Sequence, residues 1–409
     1  MLKAMPAFVA GTMTWNPRWS SLTLLVWGLV VVGDALAENW PGPPRPKSDR
    51  KPLPTAFLWF AGGSGLVYAL LALGLLWTEN AESGWFALEV KASMVLLPSL
   101  CAYQWHRLGN EAFRWLPHAL LAGLIVFMVW RIGYATASGD PTAWRYDGLA
   151  GPFHPTYMGL YLLLVAWLMT YERRWHGFVL AFAGLFVGLL ASKAAWLVVG
   201  TMWFAEGARR CVGRRPGGMA MILSVGFLCA GAWWGDGGRW SEFAGHLNAP
   251  SKPVTHVESQ LPQEQSGSQH ITQTKRKSGS TAGRLQAWEA SMAVVFASPF
   301  GVGTGDVTDA LCDAYRVQGA DYALKKRMNP HSVWLQMAVS HGWLGLLVML
   351  MWWMGTLYLA YQKENILLLV WSIGWVLNGT IESLLELQQG VVPTLLLGCA
   401  FALLPKGKS

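Results

Sequence analysis

Arg284, Trp288 and His331 are the residues of this chain best suited to chemistry. Arg284 and Trp288 stand in GRLQAWEASMAVVFASPFGVGTGD, and His331 opens NPHSVWLQ. A guanidinium presents a planar fork of N–H donors to an anion. A helix beginning at Arg284 would add its first amides at the same spot. An imidazole, unperturbed near pKa 6.5, accepts a proton from a hydroxyl at neutral pH. Each also fits a plainer role. Arg284 would serve as the solvated end of an amphipathic helix on a membrane, and His331 as a helix-start residue beside a capping Asn329. The glycines of GVGTG fit a phosphate-cradling nest, although a turn after a helix is the commoner use.

Further charges bracket these residues. Lys193, in LLASKAAWL, sits at a tight turn between apolar segments, where a cation needs an anion, a wet cavity or a snorkelling route. Arg145, Tyr146, His154 and Tyr157 share WRYDGLAGPFHPTY, and Gln336 follows shortly after His331. Glu382 and Glu386 close an apolar segment, where a carboxylate can orient a histidine. Lys91 is expected to pair with its neighbour Glu89. His341 is expected deeper than His331, roughly 15 Å along one helix, as a buried and hydrogen-bonded residue. The chain has no DxD pair, Walker loop, GxSxG elbow or HExxH segment. Cys101, Cys211, Cys229, Cys312 and Cys399 are scattered, which implies neither a disulfide framework nor a zinc site. A catalyst here would work with cations and a base, and no metal or other cofactor is expected.

Composition shows what must hold these residues in place. The 409 residues are 53% hydrophobic and 13% charged, against roughly 25% charged in an ordinary soluble domain. Apolar stretches recur at membrane-spanning length, so no soluble domain fits and no nucleic-acid partner is expected. The fold expected is all-α, a polytopic membrane protein of about twelve spans. They fall roughly at 2–15, 21–37, 56–77, 85–104, 116–133, 154–171, 177–191, 195–206, 217–234, 331–360, 366–384 and 388–404. Two are short, and eleven is the alternative count. Twenty-five tryptophans suit the membrane–water boundaries.

The net charge of +8 has two candidate causes, basic cytoplasmic loops or a basic surface for an anionic substrate. Lys and Arg concentrate in alternate short loops: Arg45, Lys47, Arg50 and Lys51; Arg107 and Arg114; Arg173 and Arg174; Arg209, Arg210, Arg214 and Arg215; Lys363; Lys406 and Lys408. The positive-inside rule then places both termini in the cytoplasm. It divides the chain into nine spans over 1–234, a periplasmic loop over 235–330, and three spans with a cytoplasmic tail over 331–409. The loop's middle, 248–283, is polar and expected to be loosely packed, whereas 284–297 has helical periodicity.

Taken together, these segments resemble the O-antigen ligase family, within the superfamily that includes O-antigen polymerases and pilin oligosaccharyltransferases. The resemblance is carried by GLLWTENAESGWFALEVKASMVLLP, FHPTYMGLYLLL, ASKAAW, GRLQAWEASMAVVFASPFGVGTGD and NPHSVWLQMAVSHGWLGLLVML. It implies a metal-independent, inverting glycosyltransferase of the bacterial inner membrane with a periplasmic active site. The donor implied is a glycan on undecaprenyl diphosphate, the acceptor lipid A–core, with membrane lipids around both. The family's essential Arg and His fall on Arg284 and His331. Its second cation, usually in an SR-type turn, is replaced by Lys193, which cannot form a bidentate fork. Arg145 joins these as a diphosphate contact, with His154, Tyr157, Trp288, Gln336 and Glu382 as supporting or substrate-contacting residues. The rivals are a polymerase, with the same donor, and a twelve-helix transporter. The asymmetric position of the long loop speaks against matching transporter halves.

Overall fold

The computed structural model describes residues 1–39, 52–168, 176–215, 217–235 and 280–404. Expectations for the 45–51 basic loop, Arg173, Arg174, Lys406, Lys408 and most of 248–283 lie outside these residues. Among the described residues every regular element is helical. Five helices are long and apolar enough to cross a membrane: Trp19–Ala37, Thr55–Leu76, Ala81–Ala112, Leu116–Ser138 and Val333–Gln362. The shorter apolar helices Pro155–Leu168, Gly177–Leu189, Gly218–Trp234, Ile366–Gly379 and Gln388–Leu403 pack among them. This is an all-α membrane protein. Each expected apolar segment is helical, but three depart from a simple span.

The first is Met5–Thr12, eight residues long and hence only about 12 Å, well short of a bilayer core of roughly 30 Å. It packs against Leu116–Ser138, and the next helix restarts at Pro17. The second breaks at Ala92, between Ala81–Lys91 and Ser93–Leu108.

The third departure shapes the site. Residues 331–360 were expected to form one rod. Instead His341 and Gly342 leave helical geometry, Gly342 at φ +63°. The Trp343 amide donates to the Pro299 carbonyl, while the Val339 and Ser340 carbonyls accept from Val302 and Gly303. A side chain on Gly342 would collide with the Pro299 carbonyl, so the approaching turn and the glycine require each other. Trp334 and Trp353 both lie against Trp375, at ring distances of 6.1 and 3.7 Å. On a straight helix they would stand about 28 Å apart. The chain therefore doubles back at 341–342. His341 is buried and contacts Thr304 Oγ1 at 3.5 Å, but it sits at the bend, not deeper along a rod. His331 lies on the limb that the bend folds back, which recesses it within the bundle.

The same turn decides the role of GVGTG. Four of its five amides are spent on Ser298, Val339, Ser340 and Thr78, and Thr304 Oγ1 donates to Leu71. It is a packed turn, and a single remaining amide makes no phosphate cradle. Some tryptophans depart from the interfacial expectation, although others, among them Trp15, Trp19, Trp77, Trp85 and Trp115, are exposed. Trp27, Trp203, Trp352, Trp353, Trp371 and Trp375 are fully buried, filling space between helices. Trp375 donates its N–H to Thr394, whereas those of Trp352, Trp353 and Trp371 have no hydrogen-bond partner among the described residues.

Helices Ser280–Ala297, Val307–Gln318 and Asp321–Lys325 form a small core of their own. Ala287, Ala290, Leu311, Tyr315 and Ala323 meet Ala338 and Val339 there. Near the other end of the bundle, Gln104 donates to the Leu2 carbonyl and Asn365 to the Phe401 carbonyl.

Candidate functional site

Glu382 is where the site converges. It follows helix Ile366–Gly379 in an irregular segment and is 7% exposed. Arg284 Nη2 lies 3.3 Å from its Oε2, and His331 Nδ1 lies 3.3 Å from its Oε1. An ionised carboxylate only accepts, so the hydrogen-bond pattern puts the proton on Nδ1. In that tautomer the Nε2 lone pair is available for a proton. Burial pushes the Glu382 carboxyl up, but the His331 hydrogen bond and the positive electrostatic surroundings, Arg284 among them, hold it below its ordinary value.

The backbone around His331 is fixed to present that ring. His331 takes φ +46°, a left-handed conformation uncommon for a residue with a side chain. Asn329 Oδ1 accepts its amide, and the next amide, from Ser332, goes to Ser383 Oγ. The helix cap is thus Ser332, which accepts from Leu335, and Asn329 serves His331 instead.

His154 has the opposite proton arrangement. Its Nδ1 accepts the Thr156 amide at 3.4 Å, which leaves Nε2–H as a donor. Burial holds its pKa below the ordinary value, with Arg284 and His331 acting in the same direction against Glu382 and Asp147. It is therefore a neutral donor at pH 7, beside an imidazole arranged as an acceptor.

These groups open on a cavity of about 400 Å³ lined by Tyr146, His154, Arg284, Tyr322, Lys326, Arg327, Met328, Asn329 and His331. Gly283 explains how Arg284 reaches it. A Cβ at that position would stand 2.9 Å from the Tyr322 ring and 3.1 Å from Met328 Sδ, so its absence lets the helix settle against that wall. The helix begins at Ser280, four residues before the expected start. Arg284 therefore lies past the first turn, and the pairing of its guanidinium with the helix's first amides is not found.

The remaining candidates lie around the cavity without lining it. Tyr157 is buried behind Glu382, its hydroxyl donating to the Ser383 carbonyl. Lys193 opens helix Lys193–Val212 next to Ser192, whose Oγ meets Thr156 Oγ1 at 3.3 Å. Arg145 is exposed beside Tyr146. Trp288 is half-buried on the Arg284 helix, and its indole N–H has no partner among the described residues. Gln336 lies in a small pocket with Lys91 and Glu386. There Lys91 pairs with Glu386 at 3.1 Å, not with Glu89, which is exposed. Lys91 ends its helix pointing inward, and a charge that deep needs the partner that depth supplies.

Arg131 escaped the sequence reading. It is 6% exposed near the end of Leu116–Ser138. Its guanidinium donates to the Gly148 and Leu149 carbonyls and stacks on Trp130 and Tyr134. It thereby pins the loop that carries Tyr146 and His154. The available signal was an arginine inside an otherwise apolar segment.

Comparison with known proteins gives one informative match. A family model described as O-antigen ligase matches residues 157–350, which include Lys193, Arg284 and His331 but not Glu382 or His154. No curated protein matches the chain significantly.

Proposed function

Because the chain belongs, through residues 157–350, to the O-antigen ligase family, we propose that it moves a glycan from undecaprenyl diphosphate to lipid A–core. The family makes it a membrane glycosyltransferase of the O-antigen ligase and polymerase type. The observation that carries the finer reading is the Arg284–Glu382–His331 constellation, a cation and an aligned base sharing one buried carboxylate.

In this proposal an acceptor hydroxyl meets His331 Nε2. As its oxygen attacks the anomeric carbon, the proton passes to the imidazole. The bond from that carbon to the diphosphate oxygen breaks on the opposite face, which inverts the anomeric centre. Undecaprenyl diphosphate leaves with the electron pair, and Arg284 meets the charge that develops. His154 Nε2–H is a second donor for the same anion. Lys193 and Arg145 are outer contacts of the diphosphate. Glu382 acts through its two partners, holding one ring nitrogen and one guanidinium.

The reaction is proposed to need no divalent ion. Glu382, behind the cavity wall, is engaged by Arg284 and His331, and among the described residues no carboxylate lines the cavity. Purified protein given lipid-linked glycan and lipid A–core should therefore form the joined product in excess EDTA. A product that appears only when magnesium or manganese is restored would contradict the metal-free reading. Joining to a second lipid-linked glycan instead of lipid A–core would identify a polymerase.

The site is proposed to face the periplasm and both termini the cytoplasm. Val317, on the cavity-side helix Val307–Gln318, is 89% exposed. Val317→Cys should be labelled by an impermeant thiol reagent in intact spheroplasts, and Arg214→Cys only after lysis. The reverse pattern would place the site in the cytoplasm.

A further inference from the structure

The cavity wall carries more positive charge than its known pairings neutralise. Arg284 is matched by Glu382 at 3.3 Å. Arg327 is matched by Asp309, but through Nη2 alone, at 2.9 Å. Lys326 has no carboxylate partner among the described residues, and none of the cavity's lining residues is acidic. A concave surface of one sign concentrates the field and draws counter-ions of the opposite sign.

Backbone geometry singles out the same pair. Helix Asp321–Lys325 ends with the Lys326 amide on Tyr322 and the Met328 amide on Ala323. Arg327 between them takes φ +44°, at a position of a helix ending where glycine is usual. The chain keeps a long cation where the backbone favours no side chain at all. Neither residue belongs to the Arg284–Glu382–His331 group, yet both share its cavity.

We propose that Lys326 and Arg327 form a phosphoryl-binding subsite of this cavity, supplementing Arg284. A diphosphate carries more negative charge than one guanidinium already shared with Glu382 can balance, and of the proposed diphosphate cations only Arg284 lines the cavity, so Lys326 supplies a further cation inside it. This deepens the transferase reading and rests on it only for the ligand's identity. The phosphoryl group has two possible sources, the donor diphosphate or a phosphate on the acceptor saccharide.

The test uses the full chain in detergent with inorganic pyrophosphate as the probe, followed by calorimetry. Lys326→Ala should weaken pyrophosphate binding by about tenfold or more, the scale of a lost charge-assisted hydrogen bond. Lys326→Arg should retain most of the affinity. Arg327→Gly should also weaken it, with a Tm equal to or above that of the unaltered protein, because glycine suits that φ. Lost binding in a variant that folds as well or better cannot come from damaged structure. In transfer assays with Lys326→Ala, a raised KM for the lipid donor assigns the subsite to the diphosphate. A raised KM only for a phosphorylated acceptor assigns it to the acceptor. Unchanged pyrophosphate affinity in Lys326→Ala and Arg327→Gly would overturn the subsite even if glycan transfer proceeds. Lysine-dependent pyrophosphate binding in a protein that transfers no glycan would sustain the subsite and remove the transferase reading.

Discussion

His331→Ala is expected to lower single-turnover transfer by about two to four orders of magnitude, the usual worth of a positioned general base, while donor binding holds. A sugar hydroxyl is a weak nucleophile at neutral pH, and its proton must leave as the new bond forms. The geometry marks His331 for that task. Its Nδ1 is occupied by Glu382 at 3.3 Å, its backbone is held at φ +46°, and its ring lines the cavity. The rival role is a hydrogen bond from the ring to the diphosphate. That role predicts the opposite division, weak donor binding with an unchanged rate for bound donor, and measuring the two separately decides between them. Glu382→Gln gives an internal check. To the extent that Glu382 acts through His331, the double variant should lose less than the product of the two single losses, because residues working as one unit are not additive, and any further loss beyond His331→Ala reports its hold on Arg284. Fully additive losses would mean that Glu382 does not work through His331 at all.

Much of the helical framework was legible because apolar periodicity is a local property. All twelve expected segments are helical over much of their described residues and pack in the bundle, and the 284–297 periodicity became Ser280–Ala297. Breaks were not legible, because their causes come from elsewhere in the chain. Gly342 is one of 45 glycines, and only the arrival of Pro299 at that point makes it a reversal. Lys91 illustrates the same limit. Glu89 was the near carboxylate in sequence, but the helix ending at Lys91 buries its side chain beside Glu386, almost three hundred residues away. For the site, the types and spacing of Arg284 and His331 were visible, as was the idea of a carboxylate orienting a histidine. Glu382 was named as a supporting residue, but nothing local separated it from Glu386, since which of the two faces His331 depends on the 341–342 fold. Lys326 and Arg327 stood in a polar stretch with nothing local to separate them from ordinary surface charges. Their significance lies in a shared cavity and one unusual φ.

Arg284→Ala carries the second large expected loss, about two to three orders of magnitude in kcat, the scale of removing one preorganised donor from a developing anion. Two effects are entangled in that variant. The diphosphate loses a guanidinium, and Glu382, 7% exposed, loses a cation it was buried against. An unmatched buried charge destabilises by roughly 3–5 kcal/mol, so a drop in Tm is expected together with the loss of activity. Arg284→Ala combined with Glu382→Gln separates the two. Removing the stranded charge should recover much of the Tm, while transfer stays low because the cation facing the leaving group is still absent. Arg284→Lys should keep the charge but not the fork that can bridge Glu382 and a phosphate oxygen together, and should fall between the unaltered protein and Arg284→Ala. If the double variant recovered both stability and transfer, Arg284 would be only the counter-ion of Glu382, and the leaving-group charge would have to be met by His154 and the cations of the facing wall.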